Sequence, residues 1–313
     1  MSAPDTPSHR APNRASTPEA SGGTASGGTA SGGTASGGTA SGGVPLPYPE
    51  AAAALPPTTA AGAALGALRV LAVLLLILLG TPAMLLAALV PGRPGGARPA
   101  QWVSMLLSRL FLAASGVRHE VQAPEALRAA GGFVFFNHVS YLDIMAVLAV
   151  RPLRFLATAG VRRLPLVGWM AQAAGTVFVA RGKDESRRAA RESLARASAL
   201  SPTPIAMAPE GGVQPGPGVA PFRHGAFEVA ADAGAPVLLV ALAFEPRGRA
   251  AWLEGESLLR AFWRLAARTE RVTARVVPLP PEAIPSGPPE AEAAQAEARV
   301  DAALAGLWRR GAA

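Results

Sequence analysis

The chain has 313 residues, enough for one large domain or two small ones, and half of them are hydrophobic. Its formal charge of +8 is almost wholly arginine, with Lys183 the single lysine, a usage that reflects GC-rich coding and discounts the charge as functional evidence. The remaining surplus favours a phospholipid surface or a phosphorylated substrate over nucleic acid, since aromatics make up only 5%, and the lack of cysteine excludes thiol catalysis, thiolate metal sites and disulfides.

Residues 1–60 read as a disordered tail. The unit Ser21-Gly-Gly-Thr-Ala25 recurs through Ala40 and begins again at Ser41, which gives a flexible linker with no apolar face to bury. A secretory signal does not fit, because the first apolar segment starts too far from the N-terminus. Residues 61–116 read as a membrane anchor followed by an interfacial helix. Val70 to Val90 carries no charge and meets the roughly 20 residues that a bilayer span requires. Gly80-Thr81-Pro82 at its centre marks a kink or a turn, so the segment either crosses with a bend or re-enters on the same side. Arg93 and Arg98 beyond the segment, against Arg69 before it, favour a catalytic domain on the cytoplasmic side. Trp102 to Leu112 is apolar with a narrow polar stripe, suited to lie against lipid or to pack on the main domain.

Residues 117–313 alternate short apolar runs with helical stretches, the pattern of a single α/β domain. Strands are expected at Phe133–Phe136, Leu153–Ala157, Thr176–Ala180, Pro204–Ala208, Val237–Phe244 and Val272–Val277. Helices are expected near Ser140–Val150, Leu166–Ala174, Glu185–Leu200, Gly225–Ala233 and Pro289–Trp308, the last with Val300, Leu304, Leu307 and Trp308 on one face.

The densest chemistry follows the first of these strands, in Asn137-His138-Val-Ser140-Tyr-Leu-Asp143. A histidine at the mouth of a strand is placed to take a proton from a hydroxyl, and an aspartate can hold one ring nitrogen so that the other faces substrate. On a continuous helix, positions five apart diverge by about 140°, so the pair can meet only if the chain turns at Ser140. The same residues also spell an S-x-x-D capping box, in which Asp143 serves only a helix end. Three more charged positions follow strands or open loops: Arg181, Glu210 with Gly211, and Arg223. Taken singly they are a surface charge, a turn and a helix-flanking cation. Taken together at strand exits, where open α/β sheets bind ligands, they suggest a base with a phosphate clamp.

In this order the segments resemble the glycerolipid acyltransferase family, the 1-acyl-sn-glycerol-3-phosphate acyltransferases and related lysophospholipid acyltransferases. Asn137-His138-x4-Asp143 matches the family's NHx4D block, and Gly175-Thr-Val-Phe178-Val-Ala-Arg181 its G-x-x-F-[IV]-x-R block. Pro209-Glu210-Gly211 matches the core of F-P-E-G-T, with Phe222-Arg223-x-Gly225 after it and the apolar run Ala235-Pro236-Val-Leu-Leu-Val240 last. The resemblance covers roughly Gln101 to Pro280. It implies a glycerol-3-phosphate acyltransferase-like domain, with a central mixed sheet flanked by helices behind an N-terminal membrane anchor. It also implies the inner membrane of a bacterium as the location.

The implied chemistry uses His138 and Asp143 as the catalytic pair, with Asn137, Arg181, Glu210, Gly211 and Arg223 on the substrate side. The donor would be acyl-CoA or the thioester of acyl carrier protein, the acceptor a lysolipid in membrane phospholipid, and no metal or other cofactor is required. Departures from the family concern the acceptor: Ala208 stands for the usual Phe, Gly212 for the Thr, Thr158 for a frequent Lys and Gly160 for a frequent acid. Lyso-ornithine lipid, which lacks phosphate, is therefore the rival acceptor to 1-acyl-sn-glycerol-3-phosphate. A non-catalytic membrane scaffold on the same fold is the rival from outside enzymology. Other enzyme patterns fail: no G-x-S-x-G occurs, and His119-Glu120 has Ala123 where a zinc protease needs its second histidine.

Overall fold

The computed structural model describes residues 47–179, 184–216 and 218–311. Helix α1 (Tyr48–Ala53) precedes the long α2 (Ala60–Leu89) and α3 (Pro99–Ala114). Strand β1 (Val117–Val121) then leads through α4 (Pro124–Ala129) into β2 (Phe133–Phe136) and α5 (Leu142–Leu148). Next come β3 (Arg154–Thr158), α6 (Ala159–Arg162), α7 (Val167–Ala173), β4 (Val177–Val179), α8 (Asp184–Ala199) and β5 (Ile205–Met207). The chain closes with α9 (Gly225–Asp232), β6 (Val237–Glu245), α10 (Arg247–Ala250), α11 (Leu258–Ala266), β7 (Val272–Ala283) and α12 (Pro289–Gly311).

The described strands form one mixed sheet in the order β1-β7-β6-β2-β5-β3-β4. Only the β6–β7 pair is antiparallel, so β2, β3, β4, β5 and β6 all end on the same edge. The expected mixed sheet is therefore present. Every residue of β2 is buried, as an unbroken Phe-Val-Phe-Phe run requires when helices cover both faces. Alternate side chains divide between the faces. Val134 and Phe136 join a core with Val73 of α2, Leu112 of α3, Leu142 of α5 and Phe262 of α11. Phe133 and Phe135 join a second core with Leu194 of α8, Phe227 of α9 and Val300 of α12. Each such Phe contributes about 1.5–3 kcal/mol by leaving water, and this double core fixes where β2 delivers its last residue.

Three expectations change. The tail does not extend to residue 60, because α1 packs on the domain: Tyr48 is buried with the Arg247 guanidinium 5.1 Å from its ring centre. β7 runs on past Val277 to Ala283, since its second half pairs antiparallel with β6 back to Val237. β1, α4, α6, α10 and α11 appear in addition. Residues 1–46, which hold the repeats, lie outside the described residues, as does the side chain of Trp308.

The apolar segment is one uninterrupted helix, with no reversal of the chain at Gly80-Thr81-Pro82. Pro82 sits inside α2, and the Thr81 hydroxyl donates to the Ile77 carbonyl at 2.7 Å, a local bond that occupies backbone near the proline. α2 is long and apolar enough to cross a membrane. One stripe of it, with Gly62, Gly66, Val73, Gly80 and Met84, is buried on the domain, while Leu71, Leu75, Leu78 and Leu86 are exposed. α3 packs against both α2 and α5, so of its two expected settings the packing on the domain is present.

Candidate active site

His138 lies two residues past the end of β2, on the sheet edge shared by the parallel strands. Between it and α5 the chain turns, and the turn is organised by one carboxylate oxygen. Asp143 Oδ2 accepts from His138 Nδ1 at 2.7 Å and from the backbone N–H groups of Val139 and Ser140, each at 2.8 Å. The capping function and the histidine contact, which compete in the sequence, are performed by the same atom. Ser140 secures the turn from its other side: its hydroxyl accepts from Leu142 N and donates to the Ala250 carbonyl of α10 at 2.5 Å.

Asp143 is fully buried, and its partner ring is 18% exposed. Burial raises the Asp143 carboxyl above its ordinary range, and the His138 and backbone donors oppose that rise. With the Nδ1 proton assigned to the bond with Asp143, Nε2 is the nitrogen left with a lone pair for substrate. The Phe136 ring stands edge-on to the imidazole at 6.1 Å and restricts its swing. This is a histidine oriented for proton abstraction.

Glu210 follows β5, the neighbour of β2, and is also buried. Its Oε1 accepts the backbone N–H of His138 at 2.9 Å, so the carboxyl holds the histidine's main chain. Burial is the main cause that pushes the Glu210 carboxyl up to about 8, with the Asp143 and Glu297 carboxyls adding to it and the His138 bond opposing it. Gly211 has φ of +81°, and a Cβ there would lie 2.6 Å from Arg223 Nε. Glycine is thus needed twice, for the left-handed turn and for the guanidinium that lies across it. Arg223 Nε donates to the Glu210 carbonyl at 3.2 Å, and its main chain to Pro209 O at 3.0 Å. The side chain is otherwise exposed on the edge that carries His138.

Asn137 is spent differently from its expected place on the substrate side. Its amide is buried and pairs with the Leu242 backbone in both directions, at 3.0 Å as donor and 2.7 Å as acceptor. That bond pair extends the β2–β6 register past the last strand residue and sets the height of His138. Arg181 follows β4 but lies outside the described residues. His138, Asp143, Glu210, Gly211 and Arg223 are therefore brought together.

Two contributors have no sequence signal of their own. Gln214 N donates to the His138 carbonyl at 2.6 Å, closing the loop from the side of β5. Leu242 serves through its backbone alone.

Known proteins resemble the chain over the stretch that carries these residues. Residues 118–243 match the family model described as Acyltransferase. A 1-acyl-sn-glycerol-3-phosphate acyltransferase of Neisseria meningitidis serogroup B is 39% identical over 142 residues, covering 44% of this chain and 54% of that protein. A lyso-ornithine lipid O-acyltransferase of Pseudomonas aeruginosa is 37% identical over 179 residues, 54% of this chain and 66% of that protein. The chain thus spans between about half and two thirds of these relatives' length. The crystal structure of the 1-acyl-sn-glycerophosphate acyltransferase PlsC from Thermotoga maritima shares the fold. It has a TM-score of 0.55 at 20% identity, over 76% of this chain and 97% of that one. The matched segment runs from β1 into β6 and contains His138, Asp143, Glu210, Gly211 and Arg223, and over this segment the chain is similar to the Acyltransferase family.

Proposed function

We propose that the protein is a membrane-associated O-acyltransferase that moves a fatty acyl group from acyl-CoA or acyl carrier protein to the free hydroxyl of 1-acyl-sn-glycerol-3-phosphate. The observation that carries this reading is the buried Asp143 carboxylate 2.7 Å from His138 Nδ1, which leaves Nε2 for the acceptor. Nε2 takes the hydroxyl proton as the oxygen attacks the thioester carbonyl. A carbon–oxygen bond forms, the carbon–sulfur bond breaks, and the proton passes to the departing thiolate. Arg223, with Arg181, grips the acceptor's phosphate, since a planar guanidinium matches phosphate oxygens. The scheme assigns no step to a metal. α2 and α3 hold the catalytic domain against the membrane of a bacterium, its site on the cytoplasmic side.

One observation favours a second acceptor, lyso-ornithine lipid. The match to the Pseudomonas aeruginosa lyso-ornithine lipid O-acyltransferase extends over more of both chains than the match to the Neisseria protein. Ala208, Gly212 and Thr158 also depart from the pattern of the phosphate-handling relatives. The test offers detergent-solubilised full chain a labelled acyl thioester and both acceptors in parallel. Product from 1-acyl-sn-glycerol-3-phosphate, with an Arg223→Ala variant raising KM for that acceptor by at least tenfold, supports the first reading. Product from lyso-ornithine lipid alone, indifferent to Arg223, moves the enzyme to the second.

A further inference from the structure

α11 leaves one apolar face uncovered. Phe262, Leu265 and Ala266 are buried in the core, while Leu258, Leu259 and Trp263 are exposed, Leu259 by 78%. The helix is docked on α2 at close range. A Cβ on Gly62 would lie 2.7 Å from the Ala267 carbonyl, and one on Gly66 would lie 2.9 Å from Ala267 Cα. Arg69 of α2 donates to the carbonyls of Ala266 and Arg268 at the end of α11, at 3.0 and 2.8 Å. Between the two helices and α1 runs an open groove of about 930 Å³ to which Leu71 and Leu74 of α2 and Leu259 and Trp263 of α11 all contribute. The exposed apolar surfaces of the two helices are therefore continuous, although about 180 residues of chain separate them.

Charge borders this surface. Arg260 and Arg268 line the groove, and neither makes an ion pair among the described residues. Arg264, which also lines the groove, is in contrast neutralised by Glu256 at 2.6 Å. Leucines with an interfacial tryptophan and flanking arginines form the pattern of a helix lying in a membrane interface.

We propose that α11 is a second membrane-docking element, lying in the headgroup region of a bilayer that contains anionic phospholipid and continuing the lipid-facing surface of α2. The proposal rests on the reading of α2 as a membrane anchor. Docked at α2 and again at α11, the catalytic domain is held against the bilayer in one orientation.

The chain has no cysteine, so a single introduced cysteine carries a unique label. An environment-sensitive fluorophore is placed at Leu259→Cys, at Leu75→Cys on the exposed face of α2, and at Glu290→Cys on α12. Each full-length variant is reconstituted with phosphatidylethanolamine–phosphatidylglycerol vesicles bearing doxyl-labelled lipid. The proposal expects at least twofold quenching at 259 and at 75, and none at 290. It further expects quenching at 259 to fall by at least half when phosphatidylcholine replaces the anionic lipid. Quenching at 75 with none at 259 overturns the proposal and leaves the anchor standing. A label at 259 that is shielded without lipid quenching means that another protein surface covers α11, and overturns it too. No quenching at either position removes the anchor reading and the proposal together.

Discussion

At the scale of single residues, the site is a histidine whose position is specified three times over. The Asn137–Leu242 bond pair sets its height on the sheet, Glu210 and Gln214 hold its backbone, and Asp143 holds its ring. Asp143→Asn keeps the size of the side chain but replaces one acceptor oxygen with a donor, which breaks either the ring contact or the turn. Acyl transfer is expected to fall by about 10²–10⁴-fold, as loss of positioned general-base catalysis does, with KM for the thioester little changed. A variant with near-normal turnover would separate Asp143 from the chemistry. Glu210 gives a second test through pH. In the folded chain it keeps its proton up to about pH 8, whereas its ordinary value is 4.5. Between those values the folded chain holds a proton that the unfolded chain has released, so its contribution to stability declines as pH rises through that window. Glu210→Gln has no proton to lose. Its thermal midpoint relative to the natural chain should therefore rise between pH 5 and pH 9, and a constant difference would contradict the buried neutral carboxyl.

At the scale of elements, the strands that matter most were legible because their composition leaves little choice. A four-residue apolar run between glycines and an asparagine has nowhere to go but the middle of a covered sheet, and β2 is there. β1 was not legible, since Val117-Arg-His-Glu-Val121 has apolar side chains only at its ends and pairs with β7 alone at the sheet margin. α1 was hidden by its neighbours: six residues after a long low-complexity tail carry no helical period, and only tertiary contact with Arg247 and Gly248 orders them. Of the glycines of α2, the sequence marks only Gly80, as part of a kink or turn. Gly62 and Gly66 turn out to be the places where α2 meets Ala267, the residue that ends α11. Gly66→Leu should force the helices apart and cost about 1–3 kcal/mol, the usual penalty of overpacking, visible as a lower thermal midpoint and faster proteolysis after α11. An unchanged midpoint would show that α2 does not bear on α11.

At the scale of the whole molecule, the candidate site was more legible than the architecture around it. His138, Asp143, Glu210, Gly211 and Arg223 were all marked by spacing, and the fold brings them to one sheet edge. The roles of two of them were less accessible, because they reside in backbone geometry. Glu210 acts on the main chain of His138, and Gly211 makes room for Arg223, which no residue type announces by itself. Asn137 is the clearest case, since a polar side chain next to a base suggests substrate, yet its amide is consumed by Leu242. α2 was legible as apolar length but not as a helix laid along its own domain, because only packing distinguishes the buried glycine stripe from the exposed leucines. Every step proposed for this site requires His138 to be the base. The most direct test of this is the rate of acyl transfer to 1-acyl-sn-glycerol-3-phosphate, and to lyso-ornithine lipid alongside it, by the full chain and by His138→Ala. The expected result is a loss of about 10²–10⁴-fold on whichever acceptor the natural chain uses, with the thermal midpoint preserved. A variant that retains the natural rate within about threefold would contradict it, because general-base catalysis of this kind is worth far more than that.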